Sequence, residues 1–136
     1  MIKINLFSLL SFLIFGCQSA EEIKRNQYFV EGLELYKTHC ANCHQIDGTG
    51  LEGLYPPISS AFLDKNKMKV ICLIQNGIKD SLVINGKKYT QPMPANKSLE
   101  KLELAEIATF VYNKWGNETV ITNIEDVEKA LEGCKK

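Results

Sequence analysis

The chain has 136 residues, of which 45% are apolar and 24% are charged, and this is the composition of a single globular domain. Lysine and arginine together number 16, as do aspartate and glutamate, so the formal net charge is zero. Because nucleic-acid-binding proteins need basic side chains in excess to neutralise phosphates, this charge balance predicts no nucleic-acid partner.

The N-terminal residues predict export. Lys3 precedes an apolar run over residues 6–15, and Gly16 and Cys17 follow it, which is the layout of a secretory signal peptide. The run is shorter than the ~20 residues of a membrane-spanning helix. Cys17 and the residues before it resemble the lipobox of bacterial lipoproteins, in which the cysteine after the cleavage site is acylated. We predict a signal peptide over residues 1–16 and a lipid anchor on the periplasmic side of a bacterial membrane. The alternatives are an ordinary signal peptide and an uncleaved anchor.

A polar tether over residues 17–26 and a folded domain over residues 27–136 are predicted to follow. The domain opens with a helix, because apolar residues recur there on one helical face. These residues are Phe29, Leu33, Tyr36 and Cys40. Gly32 lies in the same helix, where a glycine is costly unless another helix crosses close to it.

The helix leads into a C-x-x-C-H motif formed by Cys40, Cys43 and His44. A structural zinc site would need four ligands, usually in two close pairs, whereas Cys72 and Cys134 stand alone. A redox dithiol would follow a strand of a βαβ unit, whereas the residues before Cys40 have helical periodicity. C-x-x-C-H is the signature of covalent haem c attachment. Two thiols on one helical turn can each form a thioether with a haem vinyl group, and the next residue then places its imidazole under the iron.

A second helix is predicted over residues 68–75, where Met68, Ile71 and Cys72 have helical spacing, so Met68 is interpreted as a core residue. Lipid and haem are expected to use three of the five cysteines, which leaves Cys72 and Cys134 in an oxidising compartment. Both lie on apolar helix faces, and we predict a disulfide bond between them. The alternative is two separate buried thiols.

A β-hairpin is predicted over residues 82–89, because Asn85-Gly86 between two short β-prone runs is a strong local turn signal. The hairpin is expected to cover an edge of the haem, with surface decoration as the alternative. Lys87 and Tyr89 are candidates for contact with a haem propionate, unless the hairpin is simply solvated.

Met93 is predicted to supply the second axial ligand of the iron. It lies between two prolines, which restrict the backbone and suit a loop that holds a thioether sulfur in place. The other methionine beyond the signal peptide, Met68, is assigned to the core. His39 is adjacent to the haem-attachment motif and cannot reach the opposite side of the ring. His44 and Met93 are therefore the predicted axial pair.

Two further helices are predicted near the C-terminus. The first has Ser98 as its N-cap and ends at Gly116, and core packing alone explains its apolar stripe. The stripe comprises Leu104, Ile107, Ala108, Val111 and Trp115. The second helix has Thr122 and Glu125 as a capping box and carries Cys134 on its apolar face.

The chain resembles the class I cytochromes c over residues 26–116. GLELYKTHCANCHQIDGTGLEGLYPPI is similar to the family's N-terminal helix, haem motif and proline turn, while NGIKDSLVINGKKYTQPMP and LELAEIATFVYNKWGN are similar to its distal segment and C-terminal helix. The resemblance implies a compact all-α fold around one covalent haem c with His/Met ligation. It also implies that the C-terminal helix crosses at Gly32. By the same resemblance, the carbonyl of Pro56 accepts the Nδ1 proton of His44, unless Pro56-Pro57 only stiffens a loop.

We therefore expect a monohaem c-type cytochrome, an electron-transfer protein rather than an enzyme. It would carry one electron at a time between redox partner proteins in the periplasm or at the membrane, such as an oxidase, a reductase or a dehydrogenase. With both axial positions filled, the iron has no open site for a substrate. The alternatives are a haem subunit of a larger oxidoreductase, and a haem-based sensor or peroxidase-like protein in which Met93 leaves the iron.

Overall fold

The computed structural model describes residues 19–134, which form helices around a core and one small antiparallel sheet. The helices are α1 (Ala20–His39), α2 (Ala41–His44), α3 (Ser60–Lys65), α4 (Lys67–Asn76), α5 (Lys101–Trp115) and α6 (Ile124–Gly133). The strands are β1 (Leu82–Ile84) and β2 (Lys87–Tyr89). This architecture confirms the predicted all-α fold with a small hairpin. The predicted signal peptide and Cys17 lie outside the described residues. Within residues 19–134, no helix combines the length and apolar character that crossing a membrane requires.

Helix α1 begins earlier than predicted. The hydroxyl of Ser19 caps it by accepting a hydrogen bond of 3.1 Å from the backbone N–H of Glu22. The acidic side chains of Glu21 and Glu22 also favour this end of the helix through the helix dipole. Part of the predicted tether over residues 17–26 is therefore helical. Its polar composition reflects exposure to solvent on the first turns of α1, not an irregular backbone.

Helix α1 crosses helix α5 at Gly32, where the two backbones come into direct contact. A Cβ atom at residue 32 would lie 2.1 Å from the carbonyl oxygen of Glu106, so the position has no room for a side chain. An aromatic cluster continues the contact, with ring centroids 5.1 to 5.3 Å apart. Its members are Phe29, Tyr36, Phe110 and Trp115. Such pairs contribute beyond the area they bury and hold the two helices in register.

The core lies between α5 and the shorter helices α4 and α6. Its buried side chains include Val70, Ile71, Ile74, Leu104, Ile107, Ala108, Val111, Val127 and Ala130. Met68 does not belong to this set, because 40% of its surface is exposed, and its interpretation as a core residue was wrong. The buried stripe of α4 instead runs through Val70, Ile71 and Ile74. Met68 lies to one side of that stripe, four residues before Cys72 on the same flank of the helix.

The start of α5 also differs from the prediction. Glu100, not Ser98, is the N-cap, and the carboxylate of Glu103 accepts a hydrogen bond of 2.8 Å from the backbone N–H of Glu100. Leu99 lies between the two candidate caps and is buried in the core. Because the Leu99 side chain packs in the core, the helix begins only at Lys101.

Helix α6 is capped by Asn123 and Asp126, and the predicted capping box of Thr122 and Glu125 is displaced by one residue. The backbone N–H of Thr122 donates to the Oγ1 atom of Thr109 at 2.9 Å. Because Thr122 is buried and held to α5 in this way, the next residue takes the capping position.

The predicted hairpin is present. β1 pairs with β2 in the register Leu82↔Tyr89, Val83↔Lys88 and Ile84↔Lys87. Asn85 and Gly86 have φ angles of 50° and 77°, and positive φ at both positions is what a two-residue type I′ turn requires. The sheet buries one face, since Ile84 and Tyr89 are buried whereas Val83 is exposed.

Cys72 of α4 and Cys134 at the end of α6 are joined by a disulfide bond, with their Cα atoms 5.7 Å apart. The bond links residues 62 positions apart in sequence. It fastens α6 to the outer flank of α4, where Val127 and Ala130 already pack into the core.

Replacing both cysteines, Cys72→Ser with Cys134→Ser, is expected to lower the free energy of unfolding by about 4 kcal/mol, because the unfolded chain regains the entropy of a long closed loop. Urea denaturation of the mature protein measures this change. When the denatured wild-type protein is alkylated without reductant, Cys72 and Cys134 should both stay unmodified. Intact-mass analysis measures this. Two alkylated residues at these positions would contradict the bond.

Candidate functional site

The C-x-x-C-H motif forms a tight turn at the end of α1. Cys40 ends α1 and also precedes α2, and its carbonyl accepts hydrogen bonds from the backbone N–H groups of Cys43 and His44 at 3.2 and 3.0 Å. The turn places both cysteines and the imidazole along one short surface. Cys40 and Cys43 are the free thiols of residues 19–134, and both are half-buried.

The chemistry of these thiols argues against the two alternatives to haem attachment. Burial, with a smaller contribution from Cys43, raises the pKa of Cys40 to about 12. The attacking cysteine of a redox dithiol needs a lowered pKa, because the thiolate is the nucleophile, and the pKa of Cys40 is shifted in the opposite direction. A four-cysteine zinc site would need Cys72 and Cys134, whose sulfur atoms are bonded to each other.

The imidazole of His44 is oriented by the backbone. Its Nδ1 atom lies 3.0 Å from the carbonyl oxygen of Pro56, to which it donates when the proton is on that nitrogen. Burial lowers the pKa of His44, and the hydrogen bond to Pro56 partly opposes this decrease. The ring is therefore neutral at pH 7 and has a free lone pair on Nε2. Metal-binding histidines have this arrangement, in which the second ring nitrogen donates to a carbonyl.

The loop between His44 and Pro56 is held by the buried side chain of Tyr36 and the half-buried side chain of Trp115. The phenol of Tyr36 donates to the carbonyl of Gln45 at 2.6 Å, and the indole of Trp115 donates to the carbonyl of Asp47 at 3.0 Å. Helical periodicity places Tyr36 and Trp115 on apolar helix faces and predicts neither hydrogen bond. A usable indication was the chemistry of the side chains, since buried Tyr and Trp normally find a partner for their polar atom.

Met93 is held by an isolated β-bridge to Ile78. The N–H of each residue donates to the carbonyl of the other at 2.9 Å. Because Pro92 and Pro94 have no N–H, Met93 has the one amide donor of the Pro-Met-Pro segment, and the bridge uses it. The bridge was not predicted, because Ile78 and Met93 have no local pattern that pairs them.

His44 and Met93 line the same pair of adjoining clefts. The residues common to both clefts are Cys40, His44, Pro56, Leu73, Leu82 and Met93. The inner wall is apolar and includes Val70, Ile74, Ile107 and Val111. Sequence reasoning missed Leu73 and Leu82, although the period-2 alternation of β1 places Leu82 and Ile84 on one face.

Of the two side chains predicted to contact a propionate, Tyr89 and Lys87, only Tyr89 lines the cleft. Tyr89 lines it and is buried, whereas Lys87 does not, and its ammonium group lies 3.9 Å from the carboxylate of Glu52. The side chains of Lys87 and Glu52 are both exposed to solvent, so this ion pair contributes little to stability. Contact of Tyr89 or Lys87 with a propionate stays a prediction.

An apolar cleft bordered by two free thiols, a neutral imidazole and a thioether has the donor set that fits a covalently attached haem. A helical protein with this site is of the c-type haem class. The model of the cytochrome c family matches residues 29–115, and the chain belongs to that family. It is thus a cytochrome c electron-transfer domain, and its cofactor is covalent haem c. A domain of this kind typically carries one haem.

Individual relatives agree with this assignment. The chain is 25% identical to cytochrome c-552 of Thermus thermophilus over 115 residues, which are 81% of this chain and 72% of the relative. It is 29% identical over 97 residues to the cytochrome c subunit of a quinone alcohol dehydrogenase from Gluconacetobacter polyoxogenes, covering 68% of this chain and 20% of that subunit. The corresponding subunit from Gluconobacter oxydans is 29% identical over 103 residues and is covered to 21%.

Tyr36→Phe is expected to lower the free energy of unfolding by about 1–3 kcal/mol, because the carbonyl of Gln45 loses a buried donor. Amide hydrogen exchange at Gly48 should also become faster, since its N–H donates to the same carbonyl. Tyr112→Phe is the matched control, because that phenol donates to the carbonyl of Lys67, also at 2.6 Å. The control should cost similar stability without changing exchange at Gly48. Equal acceleration in both variants would show that Tyr36 does not hold this loop.

Proposed function

We propose that this protein is a single-haem electron carrier in which Cys40 and Cys43 bind the porphyrin and His44 and Met93 ligate the iron. It would pass electrons between redox partner proteins on the periplasmic side of a bacterial membrane, to which lipid on Cys17 anchors it. The observation that carries the proposal is the convergence of the imidazole and the thioether on one apolar cleft beside two free thiols.

Each part of the chain has a separate task in this proposal. When bound, the haem supplies one iron that changes between the ferric and ferrous states. The carbonyl of Pro56 holds the proton of His44 on Nδ1, which orients the ring and increases its basicity. The apolar wall excludes water, which disfavours the additional charge of the ferric state and, together with a Met ligand, raises the reduction potential.

Covalent attachment is tested by removing the two thiols. Cys40→Ala with Cys43→Ala should release the haem into acid-acetone, because no thioether then holds it, whereas the wild-type pigment should stay with the protein. Cys72→Ser with Cys134→Ser is the matched control, because it also removes two cysteines but leaves the cleft intact. Pigment retained by the first double variant would refute the assignment of Cys40 and Cys43.

Ligation by Met93 is tested with carbon monoxide. Met93→Ala should let the ferrous haem bind carbon monoxide and should lower the reduction potential, because a neutral thioether favours the ferrous state. Met68→Ala is the control, because this methionine is 40% exposed and lies outside both clefts. It should leave the spectrum unchanged and cost less than the ~2–5 kcal/mol of truncating a buried methionine. An unchanged iron site in Met93→Ala would refute the ligand assignment.

Similarity to the cytochrome c subunits of quinone alcohol dehydrogenases favours a second candidate, a haem subunit of a larger oxidoreductase. Stoichiometric co-purification of a dehydrogenase at native expression level would support it. The third candidate, a haem-based sensor or peroxidase-like protein, requires Met93 to leave the iron. Binding of carbon monoxide by the folded wild-type protein would favour that candidate over the electron carrier.

The start of α1 gives the proposed anchor a geometric consequence. Two residues, Gln18 and Ser19, separate Cys17 from the first residue of α1. Helix α1 has 20 residues and therefore extends about 30 Å, with the C-x-x-C-H motif at its far end. An acylated Cys17 would hold the domain at the membrane by the beginning of this helix, with the haem site up to about 30 Å away along it.

Acylation of Cys17 predicts that labelled palmitate is incorporated into the wild-type protein and is absent from Cys17→Ser. Because each buried methylene contributes ~0.8 kcal/mol, loss of the acyl chains should also release the variant from membranes. The Cys72→Ser with Cys134→Ser protein should be labelled like wild type. A free N-terminus located beyond Cys17 by chemical sequencing would contradict the anchor.

A further inference from the structure

The residue that follows helix α4 has a backbone conformation that only glycine adopts readily. Gly77 has φ of 67° and ψ of −173°, a region that is essentially closed to residues with a side chain. The next residue, Ile78, forms the bridge to Met93. Gly77 is therefore the point at which the chain leaves α4 and turns toward the Met93 segment.

Gly77 is also in direct contact with that segment. A Cβ atom at residue 77 would lie 2.4 Å from the carbonyl oxygen of Met93 and 2.8 Å from the backbone nitrogen of Ala95. Both neighbours are backbone atoms, so neither can move aside by changing a rotamer. Any side chain at this position must displace the Met93 backbone.

A second contact holds the same segment on α4. The carbonyl of Ile74 accepts hydrogen bonds from the backbone N–H and the side-chain amide of Asn96, at 3.3 and 3.1 Å. The segment from Met93 to Asn96 is thus fastened at both ends, to the chain just beyond α4 and to the last turn of α4 itself. One end uses the bridge to Ile78, and the other uses the carbonyl of Ile74.

We propose that Gly77 is a positioning residue for the sulfur of Met93, with the last turn of α4 as the template on which the Pro-Met-Pro loop is held. The inference rests on the proposed role of Met93 as an iron ligand. A loop held from two sides keeps a ligand in place without the entropy cost of ordering it when the bond forms. Displacing the template would weaken the iron–sulfur bond while leaving the methionine itself intact.

The test compares Gly77→Ala with Gly86→Ala in the holoprotein. Gly86 also has a positive φ, of 77°, but a Cβ atom there would meet nothing within 4 Å. Gly77→Ala should let the ferrous haem bind carbon monoxide, and exchange of the Met93 amide should become faster by about tenfold or more. Gly86→Ala should do neither. A closed iron and unchanged Met93 exchange in Gly77→Ala, or the same changes in both variants, would overturn the proposal.

A milder pair of variants addresses the possibility that Gly77→Ala fails to fold. Asn96→Ala removes one hydrogen bond to the carbonyl of Ile74 and should accelerate Met93 exchange and carbon monoxide binding to a smaller extent. Asn66→Ala is its control, because Asn66 is the N-cap at the opposite end of α4 and its side-chain amide makes a similar bond of 2.9 Å to the carbonyl of Phe62 in α3. Changes at Met93 that are equal in Asn96→Ala and Asn66→Ala would overturn the template.

Met93→Ala separates this inference from the proposed function. If Met93→Ala opens the iron and Gly77→Ala does not, positioning by Gly77 is refuted while Met93 stays the ligand. If Met93→Ala leaves the iron closed, both the ligand assignment and the positioning role are refuted.

Discussion

Direct contact between the backbones of α1 and α5 determines where the rest of the domain lies. Gly32 rests against the carbonyl of Glu106, and one turn later Tyr36 packs on Phe110 and Trp115. This crossing places the C-terminal end of α1, with its C-x-x-C-H motif, over an apolar wall to which α5 contributes. The same aromatic side chains then use their polar atoms to hold the loop that follows the motif. Packing and site geometry are therefore produced by one contact.

The two donors of the candidate haem site are each controlled by the backbone. His44 is oriented by the carbonyl of Pro56, and Met93 by its bridge to Ile78. In both cases a proline-containing segment supplies the rigid part, because proline fixes φ and removes a competing N–H. The donors are far apart in sequence, His44 at the end of α2 and Met93 in the loop after β2, yet both line the same clefts. Such preorganisation suits a redox site, since a one-electron carrier benefits from ligands that do not move when the charge changes.

Helix α6 is an addition outside the region that matches the cytochrome c family, which ends at residue 115. It buries Val127 and Ala130 against the core and is fastened to α4 by the disulfide bond. Helix α4 in turn carries the last turn on which the Met93 segment lies. The extension therefore supports the distal side of the site from the outside. Without the bond, a helix of ten residues would be held by a small apolar face and the exposed ion pair of Lys101 with Glu128, which contributes little.

Local chemistry and periodicity determined much of this protein. C-x-x-C-H predicted haem attachment, the proline-framed Met93 predicted a distal ligand, and Asn85-Gly86 predicted the hairpin, because each depends on residues that are neighbours in the chain. Counting the cysteines paired Cys72 with Cys134, the pair that is bonded in the structure.

Tertiary packing decided the rest. The spacing of apolar residues showed that α4 is a helix but not which flank is buried, and so it misplaced Met68, whose surroundings depend on where α5 and α6 lie. The caps of α5 and α6 moved because Leu99 and Thr122 are held in the core. The contact of Gly77 with Met93, and the hydrogen bonds of Tyr36 and Trp115, join distant residues. Pairings of this kind leave no periodic trace in a single sequence, because they arise only when separate elements come together.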